Sequence, residues 1–245
     1  MPLSNPSTGL EPIEFQAILS PYMNSNNVHD FWGQGTSTAS DPWIAVWGST
    51  VSGTGSTVTF PETLGIPPGI MTMTAGTTAT GASLITSDMS NIMLPSGSLQ
   101  FSWRFSLDNL SDGTNTFLAR AGLGATWNAS ADITNGLYLQ YQHNQAGGAL
   151  QLAAANAGVR VYSDGITILS PGVYYLAEII YTAQPEPVAT LFIDGNPECE
   201  LTSGFPATNI PMQICGGQII KSAGTVARTL NTDVIYFGIG FAAGR

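Results

Sequence analysis

The sequence predicts an all-β protein, an antiparallel β-sandwich with an extended N-terminal arm. Apolar and polar residues alternate in short runs, as in "LQFSWRFSL" at 99–107. Glycine, proline, serine and asparagine punctuate those runs. No helical period separates one run from the next, which favours antiparallel pairing over a parallel α/β sheet.

Along the chain, the first 40 residues read as an arm, because Pro2, Pro6, Pro12 and Pro21 combine with "NSNN" and "GQGTSTASD". Such an arm, residues 1–40, suits docking on a neighbouring subunit, with the sandwich following over 41–245. Only "PIEFQAILSPYM" at 12–23 leaves room for a turn or two of helix. Strands are expected at 70–75 and 82–86, separated by Gly- and Pro-rich loops. At 99–107, Leu99, Phe101, Trp103, Phe105 and Leu107 make a dry face and Gln100, Ser102, Arg104 and Ser106 a wet one. Further strands are expected at 116–124, 136–143, 149–155, 159–162, 173–182 and 188–193. Asp194-Gly195 suits a type I′ turn, after which "CELT" returns as a partner strand.

Composition excludes several functions. Charged residues are 9% of the chain, and 16 acids against 6 bases leave a net charge of −10. No basic cluster exists to displace counterions from phosphates, so nucleic acid is an unsuitable partner. No basic segment leads into an apolar run, and no apolar stretch reaches about 18 residues, so neither a secretion signal nor membrane insertion is expected, and assembly is expected in a cytoplasm. There Cys199 and Cys215 are expected to be free thiols.

Lys221, the single lysine, stands in "GGQIIKSAGTVARTLNTDVIYF" at 216–237. Adjacent strand residues point to opposite faces, so Lys221-Ser222 is not a base–nucleophile pair. A phosphate loop needs its glycine before the lysine and a helix after it, and this stretch has neither. The segment reads as a strand "QIIK", a turn "SAGT" and a long final strand "LNTDVIYFGIGF", with the ammonium in solvent because burying it unpaired is costly.

The closing segment "NIPMQICGGQIIKSAGTVARTLNTDVIYFGIGF" resembles the end of a phage-associated concanavalin A-like (laminin G-like) jelly roll, in which a "KSxGTxxRT" turn joins the last two strands. "GIMTMTAGTTATGASL", "NGLYLQYQ", "GVYYLAEIIYT" and "ATLFIDGNPE" resemble other strands of that domain, so the likeness spans roughly 45–241. It implies a concanavalin A-like jelly roll, a fold that carries lectins, hydrolases and structural virion modules alike. Related glycosidases have a Glu-x-Asp-x-x-Glu strand that this sequence lacks, and Glu178, the acid well inside a strand, has no second carboxylate two or three positions away. No catalytic residues are therefore assigned. His29 and His143 are too far apart to form a recognised ligand pair. Asp108, Asp112 and Asn115 have calcium-type oxygens but not the spacing of a calcium loop, so Asx turns are the favoured reading and no metal or cofactor is assigned.

A glycan surface has more support. Tyr138, Gln140 and Gln142 share one face of their strand, an aromatic and two amides suited to stacking on sugars and bonding their hydroxyls. Trp127 and Asn128, in "ATWNASADITNG", extend that site from a loop. The resemblance implies a non-enzymatic bacteriophage virion protein, a homo-oligomer expected to be a trimer, with other virion proteins as partners. Its expected role is attachment to host surface polysaccharide as a tail-fibre or receptor-binding component. Capsid decoration is the alternative, and a glycan-degrading enzyme a distant one.

Overall fold

The computed structural model describes residues 24–30, 47–59, 70–87, 91–129, 132–142, 148–165 and 169–240. Two antiparallel sheets face each other. Sheet A runs β13 (Asn196–Leu201), β12 (Val188–Ile193), β11 (Tyr175–Thr182), β6 (Ser98–Leu107), β15 (Arg228–Gly240), β4 (Met71–Ala75), β3 (Thr57–Thr59). β1 (Asn24–Asp30) also pairs with β15, along Val234–Gly240, while β4 takes Arg228–Thr232. Sheet B runs β10 (Val159–Tyr162), β9 (Leu150–Asn156), β8 (Gly136–Gln142), β7 (Phe117–Gly124), β14 (Gln213–Lys221), β5 (Ala82–Ser87), β2 (Trp47–Ser52).

Alternation puts one face of each sheet into a common core. Phe101, Trp103 and Phe105 of β6, Ile235 and Phe237 of β15, and Met71 and Met73 of β4 meet Leu137, Leu139 and Tyr141 of β8 and Ile214 and Ile219 of β14. Gly217 lets the sheets close, since a Cβ there would lie 2.2 Å from Met73 Cε. Asp194 (φ 50°) and Gly195 (φ 80°) make the left-handed turn expected between β12 and β13. Asp112 Oδ1 accepts from the backbone N–H groups of Thr114 and Asn115, closing an Asx turn, while Oδ2 accepts from Arg228 Nη2 at 2.6 Å. Glu178, half-buried on the outer face of sheet A, accepts from Gln100 and Ser102.

Two expectations need correction or a boundary. Of the expected arm, Asn24–Asp30 pairs with β15 of the same chain, whereas 1–23, which includes the possible helical turn, and 31–40 lie outside the described residues. The strands expected at "QIIK" and "LNTDVIYFGIGF" form, as β14 and β15, but β14 belongs to sheet B and β15 to sheet A, so the 222–227 turn carries the chain from one sheet to the other. Lys221 is not in solvent. It is 2% exposed, and its Nζ donates to Gly76 O at 2.8 Å.

Burial, and then the nearby Arg228 guanidinium, lower the Lys221 pKa from its ordinary value. The folded state therefore holds the charged ammonium at a cost near neutrality, and that cost disappears as pH rises towards about 10.4. The Gly76 bond offsets it. Lys221→Ala, which strands the Gly76 carbonyl, should cost about 1–3 kcal/mol by denaturant unfolding. Lys221→Met also strands the carbonyl but keeps the packed stem, so it should cost less; equal losses would show that the stem contributes nothing by packing.

Candidate functional site

The outer faces of the two sheets differ. On that of sheet A, Arg104 is exposed and Gln100 and Glu178 are half-buried, while Ser102 and Ser106, expected on a wet face, are buried; that of sheet B carries a second apolar cluster of Leu84, Cys215, Tyr138, Ala153 and Ala155, covered by Trp127 and Ile133. The last two come from the β7–β8 connection, whose described residues, 125–129 and 132–135, bring them over the sheet. Trp127 meets the Tyr138 ring edge-on at 6.3 Å and donates from Nε1 to Gln213 O. Gly122, directly opposite Tyr138, has φ +137°, and a Cβ there would lie 2.7 Å from Tyr138 Cα. A side chain at 122 would push the tyrosine off the sheet.

Strand register assembles a polar row beside this cluster. Gln218 of β14 stands opposite Arg120 of β7, Arg120 opposite Gln140 of β8, and Gln140 opposite Gln151 of β9. At about 4.8 Å between strands, the row spans about 14 Å. Arg120 Nε donates to Gln140 Oε1 and Nη2 to Asp132 Oδ1, both at 2.8 Å. Arg160 Nη2 reaches Asp132 Oδ2 at 3.2 Å. Gln218 Nε2 donates to Asn128 O, Gln140 Nε2 to Gln142 Oε1, and Gln151 Nε2 to Ser163 O.

The five residues expected at a glycan surface, Trp127, Asn128, Tyr138, Gln140 and Gln142, do converge here. Their exposure is what differs. Tyr138 and Gln140 are fully buried rather than outward, because the 125–135 connection covers them; Asn128 and Gln142 are half-exposed. Residues missed from sequence are Arg120, Asp132, Gln151, Arg160 and Gln218. Arg120 was detectable as a lone charge inside "FLARAGLG", but its partners are set by register.

Electrostatics fix the protonation states. The Arg120 hydrogen bond first, then the charges of Arg120 and Arg160, hold Asp132 below the ordinary carboxylate range against partial desolvation. Burial pushes the Tyr138 phenol well above its usual value, so it stays neutral, despite the opposing pull of Arg120. Four buried polar atoms on this face have no hydrogen-bond partner of acceptable geometry: Arg120 Nη1, Tyr138 Oη, Gln151 Oε1 and Gln218 Oε1. Among the described residues, no three His, Cys, Asp or Glu side chains gather as metal ligands.

Cys215 lies in the outer cluster of sheet B and Cys199 on β13 of sheet A, and both are free thiols. Burial raises both thiol pKa values, Cys215 far more. A thiol reagent should modify Cys199 slowly and Cys215 only after unfolding. Rapid modification of both in the native protein would contradict the covering of sheet B.

A family model, SO2946-like, C-terminal domain, matches residues 67–233. The chain belongs to this family. Its fold is similar to that of the solved protein SO2946 of Shewanella oneidensis MR-1, whose function is described as unknown, with TM-score 0.62, 16% identity, and coverage of 100% of this chain and 98% of that one. It is also similar to the potassium-bound carbohydrate recognition domain of Emp46p (TM-score 0.54, 12% identity, 80% of this chain and 89% of that one). A third similar structure is an endo-β-1,4-glucuronan lyase from Trichoderma reesei (TM-score 0.57, 14% identity, 79% and 90%). The SO2946-like chain thus has the concanavalin A-like jelly roll shared by lectin domains and glycan-active enzymes. No curated protein matches the sequence.

Proposed function

We propose that this SO2946-like chain is a non-enzymatic glycan-binding module that recognises sugar along the row Gln218–Arg120–Gln140–Gln151. The observation that carries the reading is the set of unpaired buried donors and acceptors on one sheet face. Each such group costs about 1–3 kcal/mol, and a sugar, whose hydroxyls both donate and accept, supplies the missing partners. Half-exposed Asn128, Gln142 and Arg160, with exposed Asp132, make first contact, and sugar hydroxyls then exchange with the 125–135 connection. Tyr138 and Trp127 form the apolar floor beside them.

Binding without cleavage is favoured by the carboxylates. The one carboxylate bonded to the row is Asp132, which two guanidiniums hold ionised, whereas hydrolysis by paired acids needs a second carboxyl within about 5–9.5 Å. In the setting we infer, copies assemble through the N-terminal arm and the module attaches a bacteriophage virion to host surface polysaccharide, on the support of the sequence resemblance. Capsid decoration is the second reading, in which residues 1–23, with Pro2, Pro6, Pro12 and Pro21, clamp neighbouring copies.

The test is binding of the purified chain to a panel of polysaccharides, without and with Gln140→Leu, which removes the central amide at nearly constant volume. Wild type should bind at least one glycan and Gln140→Leu should lose tenfold or more while still unfolding cooperatively. No binding across the panel, unchanged binding by the variant, or reducing ends released from the bound glycan would each overturn the reading. Stoichiometric binding to empty heads without glycan affinity would favour decoration.

A further inference from the structure

We propose that the glycan is acidic, and that its carboxylate takes the place that Asp132 holds between Arg120 and Arg160. This rests on the glycan reading above and names its substrate class. The chain has six basic residues in 245, yet two of them converge on one carboxylate. Two guanidiniums against one aspartate leave a local surplus of one positive charge. That surplus sits in a protein of net charge −10.

The three side chains are graded in depth. Arg120 is 2% exposed, Arg160 25% and Asp132 53%, so the carboxylate occupies the solvent side of one buried and one partly exposed guanidinium. Asp132 belongs to the connection that covers the row rather than to a strand. An incoming carboxylate therefore replaces it without disturbing the sheet.

Arg120 has capacity to spare. Nε is bonded to Gln140 and Nη2 to Asp132, but Nη1 is buried without a partner. Its guanidinium carbon lies 5.8 Å from the Tyr138 ring centroid, which helps hold the plane in place. A planar fork with an unused N–H favours a two-oxygen anion over a hydroxyl. The Gln218 and Gln151 carbonyl oxygens, both acceptors, would then take hydroxyl protons from sugars on either side. Repulsion from the net negative charge is screened beyond about 8 Å at physiological ionic strength, whereas the contact between guanidinium and carboxylate is not.

The experiment compares a polyuronate with the same polymer after reduction of its carboxyls to alcohols, using the intact chain and calorimetry. Wild type should bind the polyuronate at least tenfold more tightly. Asp132→Ala, which vacates the place, should bind the polyuronate about tenfold more tightly than wild type with no gain for the reduced polymer; Arg160→Ala should lose most of the preference. Asp132→Asn is the fallback where the alanine variant folds poorly, and in either variant polyuronate should raise the unfolding temperature more than it does in wild type. Equal binding of both polymers, or tighter binding of both by the Asp132 variants, would overturn acidic specificity and leave the glycan reading intact. Failure of wild type to bind either polymer, together with a blank panel of neutral glycans, would overturn both.

Discussion

Trp103→Ala should lower the stability of the SO2946-like fold by about 3–5 kcal/mol, a large share of what a domain has. Trp103 is 1% exposed in the middle of β6 and stacks on Phe105 with ring centroids 3.9 Å apart. Its indole N–H donates to Thr232 Oγ1 of β15, and that hydroxyl donates onward to Gly216 O of β14. One side chain thus fills the core and begins a polar link between the sheets. Truncation leaves a cavity and breaks the link together. Trp103→Phe, which retains most of the packing and loses the donor, should cost less than half as much. The measurement is the denaturant midpoint at unchanged slope; a loss below about 1 kcal/mol for the alanine variant would mean the sheets are not closely packed there.

Arg120→Met should reduce glycan binding by roughly 30-fold to several thousand-fold, the range for removing one partner of a buried charged contact at about 2–5 kcal/mol. Fold stability should suffer less, by about 1–3 kcal/mol, because half-exposed Asp132 rehydrates when it is released. Arg120→Lys should not rescue binding, since an ammonium lacks the planar fork that engages Gln140 and Asp132 at once. Calorimetric titration checks both variants. Full binding by Arg120→Met would remove the row from the site.

What was legible in the sequence followed alternation. β6, β8, β10 and β12 announce themselves because every second residue is apolar, and the Asp194-Gly195 turn because few residues accept its backbone angles. β1, "NSNNVHD", carries no apolar alternation; it is held by the free edge of β15 that β4 leaves beyond Thr232. Alternation also cannot say whether a polar face is wet. Tyr138 and Gln140 alternate with core residues just as Gln100 and Arg104 of β6 do, and only the cover provided by Trp127 and Ile133, residues of a loop rich in small polar side chains, distinguishes them. Gln218, Arg120, Gln140 and Gln151 are scattered along the chain and become neighbours through pairing alone. Lys221 misled because a lone charge at a strand end ordinarily lies in water, and its acceptor, the Gly76 carbonyl, is 145 residues away.

The position of β14 and β15 has a consequence for biosynthesis. Each sits in the interior of its sheet, β14 between β7 and β5, β15 between β6 and the β4–β1 edge, yet they are the last two strands made. At ribosomal rates of about 5–20 residues per second, β6 and β7 emerge several seconds before residues 213–240 arrive to pair with them. During that interval the nascent chain exposes apolar edges that only its own closing strands can satisfy. The sandwich therefore closes only once residues 213–240 have emerged, and until then the growing chain carries unpaired edges of the kind that chaperones shield.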